Sequence, residues 1–498
     1  MKWLFLINDA SYLFEFLGKI SHQLTKEGDE CLVVFNSKIA EYEKGKFFPK
    51  NSKFLSKIDW CIKNYDSSKK DFGNLSWREL FTVFERFNLY NRYNYNQSLD
   101  IVNQLYQFFD YIFSYEKPDI VIGEPPPGLF GEVAYYFTKK NNIPFCGIAE
   151  SRFPGRIDIW DLEWTCSKFE DNFKNLKKED FLPGETEFAK NFIKKFISHK
   201  TIYSSYYIVK VRFSLFDYIR HYLRRLKESS YVFFRYFLDR SKVKRFDYES
   251  EAVLRRSLMA PFRTIKKNIK IKLQGNIFNK LSSKDKYFFF PIQYEPEAST
   301  LVLATYYSNQ LATIKYVSAT LPFPYKLCLK EHPGSIGSRT NQFYEEIKKI
   351  PNAVLLSSEE STPNVIANSI GVITMTSTVG MEAAIQGKPV YVLGNVFYSY
   401  HPLCQKVVNF EDLKEKIKRD LQINWDLPNP IRDQGVLREN ETKQTSNGVN
   451  LEEINMRFII SYLRNSILAD ILYAKDPNDK NNYQFICKEI KRFLTSQK

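Results

Sequence analysis

The sequence predicts an α/β protein of two doubly wound, Rossmann-like domains facing a cleft, with a basic helical connection. Three observations predict it. Short apolar runs alternate with helical periodicity in residues 1–150 and again in 287–393, the pattern of βαβ units and parallel sheets. Residues 200–283 between them carry helical spacing and no strand-like run. The charge excess is concentrated there. Lys+Arg 72 against Asp+Glu 57 gives +15 overall, and residues 201–280 hold 19 basic and 6 acidic side chains, 19 − 6 = +13.

The elements follow in order. Residues 3–8 read as a buried strand, 11–26 as a helix stopping at Gly28, and 31–35 as a second strand. Residues 36–74 are polar and read as irregular. Residues 77–115 carry aromatics at helical spacing and read as two helices. A strand over 118–123, a helix over 129–140 and a strand over 143–149 complete the first alternation. The second runs strand 287–293, helix 301–319, strand 325–331, helix 339–350, strand 353–356, helical turn 363–368, strand 372–375, helix 379–386 and strand 389–393. Residues 427–450 read as a long loop, and 451–472 and 483–494 as helices. The expected blocks are 1–200 and 284–425 as the two Rossmann-like domains, 201–283 as the basic aromatic segment, and 426–498 as loop and C-terminal helices. Two such domains in one chain suggest the GT-B architecture, whose ligands sit beyond the carboxyl ends of the strands.

Composition narrows the function classes. Apolar residues at 44% and 80 aromatics among 498 residues exclude wholesale disorder. Seven cysteines, none spaced C-x-x-C, fit a reducing cytosol, with Cys31, Cys146 and Cys328 inside apolar runs as buried free thiols. Five histidines without metal-ligand spacing give no reason to expect a metal, and no cofactor is expected. The N-terminal apolar run is too short for a signal peptide, and no apolar stretch is long enough to span a bilayer. A cytoplasmic protein is expected.

Polar residues collect where the strands of the second alternation end. Gln293, Glu295 and Glu297 follow its first strand. Lys330 and His332 close the second, with Pro333 restricting the turn. Thr376, Ser377 and Thr378 stand where a strand becomes a helix, followed by Gly380 and Glu382. Hydroxyls and unpaired N–H groups at a helix N-terminus cap it or hold a phosphate. Gly380 would allow close approach, and Glu382 could accept hydrogen bonds from ribose hydroxyls. His332 could donate to a phosphate or stabilise a leaving one. In the first alternation Glu124 follows a strand and precedes Pro125-Pro126-Pro127-Gly128; it is a candidate general base or nucleophile, or a helix cap. Arg152 and Arg156 are candidates for an acidic sugar or a lipid-linked acceptor phosphate.

Residues 287–398 resemble the bacterial capsule polysaccharide biosynthesis proteins, which are similar to Kdo transferases. The resemblance rests on Phe290-Pro291-Ile292-Gln293, Lys330-Glu331-His332-Pro333, Thr376-Ser377-Thr378-Val379-Gly380-Met381-Glu382, Gly387-Lys388-Pro389-Val390 and Gly394-Asn395-Val396-Phe397-Tyr398. It is weaker before residue 160, resting there on Lys117-Pro118-Asp119 and Ser151-Arg152. It implies a metal-independent GT-B glycosyltransferase of capsule or lipopolysaccharide assembly. The His-Pro and Ser/Thr elements would lie on the phosphate of a CMP- or NDP-linked donor, Kdo or another acidic sugar among them. A lipid-linked or polysaccharide acceptor would bind the first domain. A nucleotide-sugar 2-epimerase and a non-catalytic assembly factor are the alternatives. The basic segment, in which Tyr236, Phe233 and Phe234 alternate with Arg220, Arg224, Arg225, Lys227 and Arg235, is expected on an anionic inner-membrane surface. Nucleic acid is not expected as a partner.

Overall fold

Trp3, Phe5 and Ile7 join one apolar cluster and Leu4 and Leu6 another. Strand side chains alternate between faces, so this first strand is buried on both, as a parallel sheet requires. In the computed structural model the described residues are 1–8, 13–125, 128–160, 167–197, 215–259, 262, 265–266, 278–282, 284–335, 337–426, 451–476 and 478–495. Thirteen strands are described: β1 Lys2–Ile7, β2 Glu30–Phe35, β3 Lys53–Ser56, β4 Ile120–Gly123, β5 Phe145–Glu150, β6 Arg156–Trp160, β7 Tyr287–Pro291, β8 Lys326–Lys330, β9 Ala353–Leu356, β10 Gly371–Thr374, β11 Val390–Val392, β12 Cys404–Lys406 and β13 Ser466–Leu468.

The chain divides into two compact units. The first comprises Met1–Trp164, Arg212–Ile265 and Ser466–Lys498, the second Thr165–Val211 and Lys266–Asn465. The first unit's sheet runs β13-β6-β5-β4-β1-β2-β3. Its β1–β5 pairings are parallel, and β6 is antiparallel to both β5 and β13. One face is covered by the helices Phe14–Lys26 and Tyr483–Thr495, the other by Trp77–Phe87, Tyr95–Tyr111 and Leu129–Lys140. The second unit's sheet runs β12-β11-β10-β7-β8-β9, parallel throughout. Phe288, Phe290, Leu327 and Leu329 contribute to its core. The fold class is the predicted one, two doubly wound α/β sheets in one chain, the organisation of GT-B proteins.

The units interleave in sequence where consecutive blocks were expected. Residues 167–197, expected in the first domain, belong to the second unit. There Phe169 meets Tyr462 at 4.8 Å between ring centroids, Phe173 meets Tyr400 at 5.5 Å, and Arg464 pairs with Glu185 at 2.8 Å. The C-terminal block splits likewise. The helix Leu451–Arg464 stays with the second unit, and β13 breaks the helix expected over 451–472 to join the first sheet.

The basic segment is not a free connection. Val232, Tyr236, Val243, Phe246 and Leu254 pack with Ile39, Ile58 and Cys61 of the first unit. Asp247 accepts from the Lys38 backbone N–H at 2.9 Å, and the Lys57 ammonium donates to the Phe246 carbonyl at 2.8 Å. Residues 36–74, read as irregular, contain helices Lys38–Lys44 and Lys57–Asn64 around β3. The loop expected over 427–450 lies outside the described residues, as do residues 201–214 and the side chains of Arg224, Arg225 and Lys227. No helix among the described residues is long and apolar enough to cross a membrane.

Candidate functional site

Parallel pairing puts the carboxyl ends of β7, β8 and β10 side by side, with Pro291 opposite Lys330. The residues that follow those strands therefore meet. Gln293 is buried and joins two of the loops. Its amide donates to the Thr376 hydroxyl at 2.9 Å, and its side-chain carbonyl accepts from the Thr376 backbone N–H at 3.1 Å. Gln310 grips the Gln293 main chain from both sides, at 2.8 and 3.0 Å. Thr376 also donates to the Ser299 carbonyl at 3.2 Å, so it braces the site rather than offering a free hydroxyl to a phosphate.

Beside it lies a buried ion cluster. Glu331, inaccessible at its side chain, pairs with Arg339 at 3.1 Å and accepts from the Tyr344 phenol at 2.9 Å and the His332 backbone N–H at 2.8 Å. Arg339 also pairs with Glu295 at 2.8 Å and donates to the Gln293 carbonyl. Burial opposes the Arg339 charge, but Glu331 and Glu295 hold its pKa above the ordinary value. Glu295 is thus committed to Arg339. Glu297 is exposed and accepts from Ser299 at 2.8 Å, in a turn-forming role.

His332 is fixed by this frame. The Gly334 backbone N–H donates to its Nδ1 at 3.0 Å, which leaves the ring proton on Nε2. Burial, with Lys330 and Arg339 nearby, lowers its pKa. At neutral pH it is therefore a neutral ring presenting an Nε2–H donor. Tyr294 lies 5.9 Å away between ring centroids. Lys330 is buried, and its ammonium donates to the Thr362 hydroxyl at 2.9 Å. Burial lowers its pKa against the pull of Glu382 and Glu360. Glu382 is half-buried. Burial pushes its pKa up to about 7, with Lys330 opposing. Lys330 and Glu382 thus form an electrostatically coupled pair spanning the ends of β8 and β10.

Ser377 and Thr378 are half-exposed between β10 and the helix Val379–Ile385. The Ser377 hydroxyl accepts from the Val379 N–H at 3.3 Å, while Thr378 makes no side-chain cap hydrogen bond. Gly380 has another role than the one expected. A Cβ there would lie 2.4 Å from the Tyr398 hydroxyl and 2.9 Å from its ring, so the glycine makes room for Tyr398 rather than for a phosphate. Tyr398 in turn donates to the Ser377 carbonyl, fixing the hydroxyl loop from behind.

In the first unit, Glu124 follows β4 and accepts from the amide of Asn8, which follows the neighbouring β1, at 2.9 Å. Lys44 donates to the Asn8 carbonyl. Asn8, Leu13, Phe14 and Leu17 line a small recess with Glu124. Arg156 corrects an expectation. It opens β6, and burial lowers its pKa. Its guanidinium donates to the Ser466 hydroxyl at 2.6 Å and carbonyl at 2.7 Å, so it clamps β13 to the sheet. Arg152 lies in the β5–β6 turn, half-buried. Pro126 and Pro127 lie outside the described residues.

Residues 176–423 match the family described as "Capsule polysaccharide biosynthesis protein". Over that stretch the chain is similar to the capsule polysaccharide biosynthesis family. The matched segment contains every site residue of the second unit and bears out the sequence resemblance. The chain matches no curated protein. Among solved structures it is similar to "Thermosulfurimonas dismutans KpsC, beta Kdo 2,7 transferase", at 12% identity and a TM-score of 0.36 over 79% of this chain and 90% of that one. A second likeness is to "Thermosulfurimonas dismutans KpsC, beta Kdo 2,4 transferase", at 11% and 0.33 over 59% and 75%. A third is to the UDP-GlcNAc 2-epimerase from Methanocaldococcus jannaschii, at 11% and 0.23 over 86% and 94%.

Sequence reading missed Tyr344 and Gln310, and it named Glu331 and Tyr398 within motifs without assigning either a role in the site. Each acts through another residue. Glu331 had a visible signal, an acidic residue at the end of an apolar strand and beside His332, and Tyr398 closed a motif after the last strand.

Proposed function

We propose that this protein is a GT-B glycosyltransferase of capsule or lipopolysaccharide assembly, with the donor's phosphate at the carboxyl edge of the second unit's sheet. The observation that carries the reading is His332: a neutral imidazole with Nδ1 occupied and an Nε2–H left to donate. A donor fixed before the ligand arrives costs little reorganisation when charge develops on a leaving phosphate. Ser377 and Thr378 add hydroxyl donors, and Lys330 adds positive charge. Glu382 accepts from ribose hydroxyls when ionised. Phosphate charge is met by these groups, so the transfer needs no metal. The donor is CMP- or NDP-linked, with Kdo or another acidic sugar as the transferred group.

Glu124 is the carboxylate proposed to act on the acceptor, as base or nucleophile. Its hydrogen bond from Asn8 fixes the carboxylate just beyond β4, the position from which a base or nucleophile would act on an acceptor hydroxyl or an anomeric carbon. The acceptor is a lipid-linked or polysaccharide chain, reached at the cytoplasmic membrane face.

The test is transfer from a panel of CMP- and NDP-sugars to capsule-type acceptor fragments, followed by release of nucleotide. Transfer with at least one donor supports the reading. Interconversion of a UDP-sugar and its 2-epimer without an acceptor would replace it with an epimerase. Failure of every donor to bind or react would favour an assembly factor.

A further inference from the structure

We propose that the outward face of the helix Leu215–Val243 docks on an anionic lipid bilayer, with Phe234, Phe237 and Leu238 entering it. The proposal deepens the reading above by stating how the protein meets a lipid-borne acceptor, and it names a contact face that the sequence did not.

The argument starts from how the helix divides its side chains. Residues three, four, seven or eleven apart share a helix face. Val232, Tyr236 and Val243 lie on one face and are buried in the first unit. Leu223, Phe234, Phe237 and Leu238 lie on the opposite one, with exposures of 58, 65, 52 and 66%. Single exposed apolar residues are ordinary; a run of them along one helix face marks a contact surface. Tyr236, an aromatic the sequence placed at the lipid, is instead the anchor that turns this face outward.

Charge identifies the partner. Residues 215–266 hold 13 basic and 6 acidic residues, 13 − 6 = +7. Four of the six acids are engaged with the protein. Asp239 accepts from the Tyr42 phenol, and Asp247 and Glu249 are buried. Glu251 pairs with Arg240. Arg220, Lys242, Lys244 and Lys266 are exposed. The outward face is therefore an apolar stripe rimmed by cations, its local anions largely turned inward. That complements a surface with anionic headgroups above hydrocarbon. A soluble polyanion would match the cations and leave Phe234, Phe237 and Leu238 in water.

The experiment is vesicle flotation of the full chain at physiological salt, with vesicles of equal parts phosphatidylglycerol and phosphatidylcholine, and with phosphatidylcholine alone. Binding to the anionic vesicles is expected, with little to the neutral ones. F234S/F237S/L238S should lower the partition coefficient about tenfold or more, a loss of about 1.4 kcal/mol or more. K242E/K244E should lower it too, independently of the apolar stripe. In F234W the indole emission should move to shorter wavelength when anionic vesicles are added. Wild type that stays with the buffer, or a triple variant that floats as well as wild type, would overturn the proposal, as would an unmoved F234W emission. Transfer to a soluble acceptor fragment is read separately and should be equal in wild type and triple variant. If vesicles bind as described and no donor is turned over, the glycosyltransferase reading fails and the docking face stands.

Discussion

Replacing Glu132 by Gln should stabilise the first unit, and by an amount that grows with pH. Glu132 lies in the first turn of the helix Leu129–Lys140, is 3% exposed, and has no hydrogen-bond partner at either carboxylate oxygen among the described residues. Burial pushes its pKa up to about 8 from 4.5, with Glu79 adding to the shift and Arg78 opposing it. The folded state therefore holds a proton that the unfolded chain has released. The acid's contribution is intact below pH 4.5 and is lost as pH rises towards 8. At ~1.36 kcal/mol per unit, 8 − 4.5 = 3.5 units is about 4–5 kcal/mol when the loss is complete. The same linkage gives about 3 kcal/mol at pH 7 and about 1 kcal/mol at pH 5. Gln keeps the shape and cannot ionise. For a unit of this size, about 3 kcal/mol is a rise of roughly 6–12 °C in the melting temperature. The assay is thermal unfolding of wild type and Glu132→Gln at pH 5, 6 and 7, reading the transition of the first unit. The gap should widen at each step. A gap that is constant with pH, or a variant that melts below wild type at pH 7, would refute the reasoning.

Three further outcomes are expected. His401 is 1% exposed, shares a hydrogen bond with Asn455 at 3.1 Å, and burial lowers its pKa to about 4 from 6.5. Stability of the second unit should fall as pH drops through that window, by about 3 kcal/mol in all, and His401→Gln should flatten the pH dependence measured in urea. Gly380→Ala should cost about 1–3 kcal/mol by overpacking against Tyr398, and Tyr398→Phe in the same chain should recover part of it, since the phenol oxygen is the nearest clash. Donor turnover should survive EDTA; a complete loss restored by a divalent cation would show that a metal, not Lys330 and His332, meets the phosphate charge.

The two sheets were legible because their strands are runs such as Leu4-Phe5-Leu6-Ile7 and Phe288-Phe289-Phe290, too apolar for anything but a strand covered on both faces. β3 and β13 were not. Lys53-Phe54-Leu55-Ser56 lies at a sheet edge with two exposed positions, and Ser466-Ile467-Leu468 gains its strand character only from pairing with β6. β6 carried a signal, Ile157 and Ile159 alternating about Asp158, but the buried acid obscured it. In the site, strand-end position made His332, Lys330, Gln293 and Glu382 visible. Their bracing was invisible because Tyr344, Gln310 and Tyr398 reach the site through hydrogen bonds that exist only once separate elements have packed together. Arg156 was misread for the same reason: its partner Ser466 is 310 residues away.

The most direct test of the central claim is calorimetric titration of the protein with CMP and with nucleoside diphosphates, in wild type, His332→Ala and Ser377→Ala/Thr378→Ala. The account predicts that wild type binds at least one of these nucleotides and that each variant loses about tenfold or more in affinity, about 1.4 kcal/mol, with an unchanged melting temperature. Equal affinity in all three proteins would contradict it.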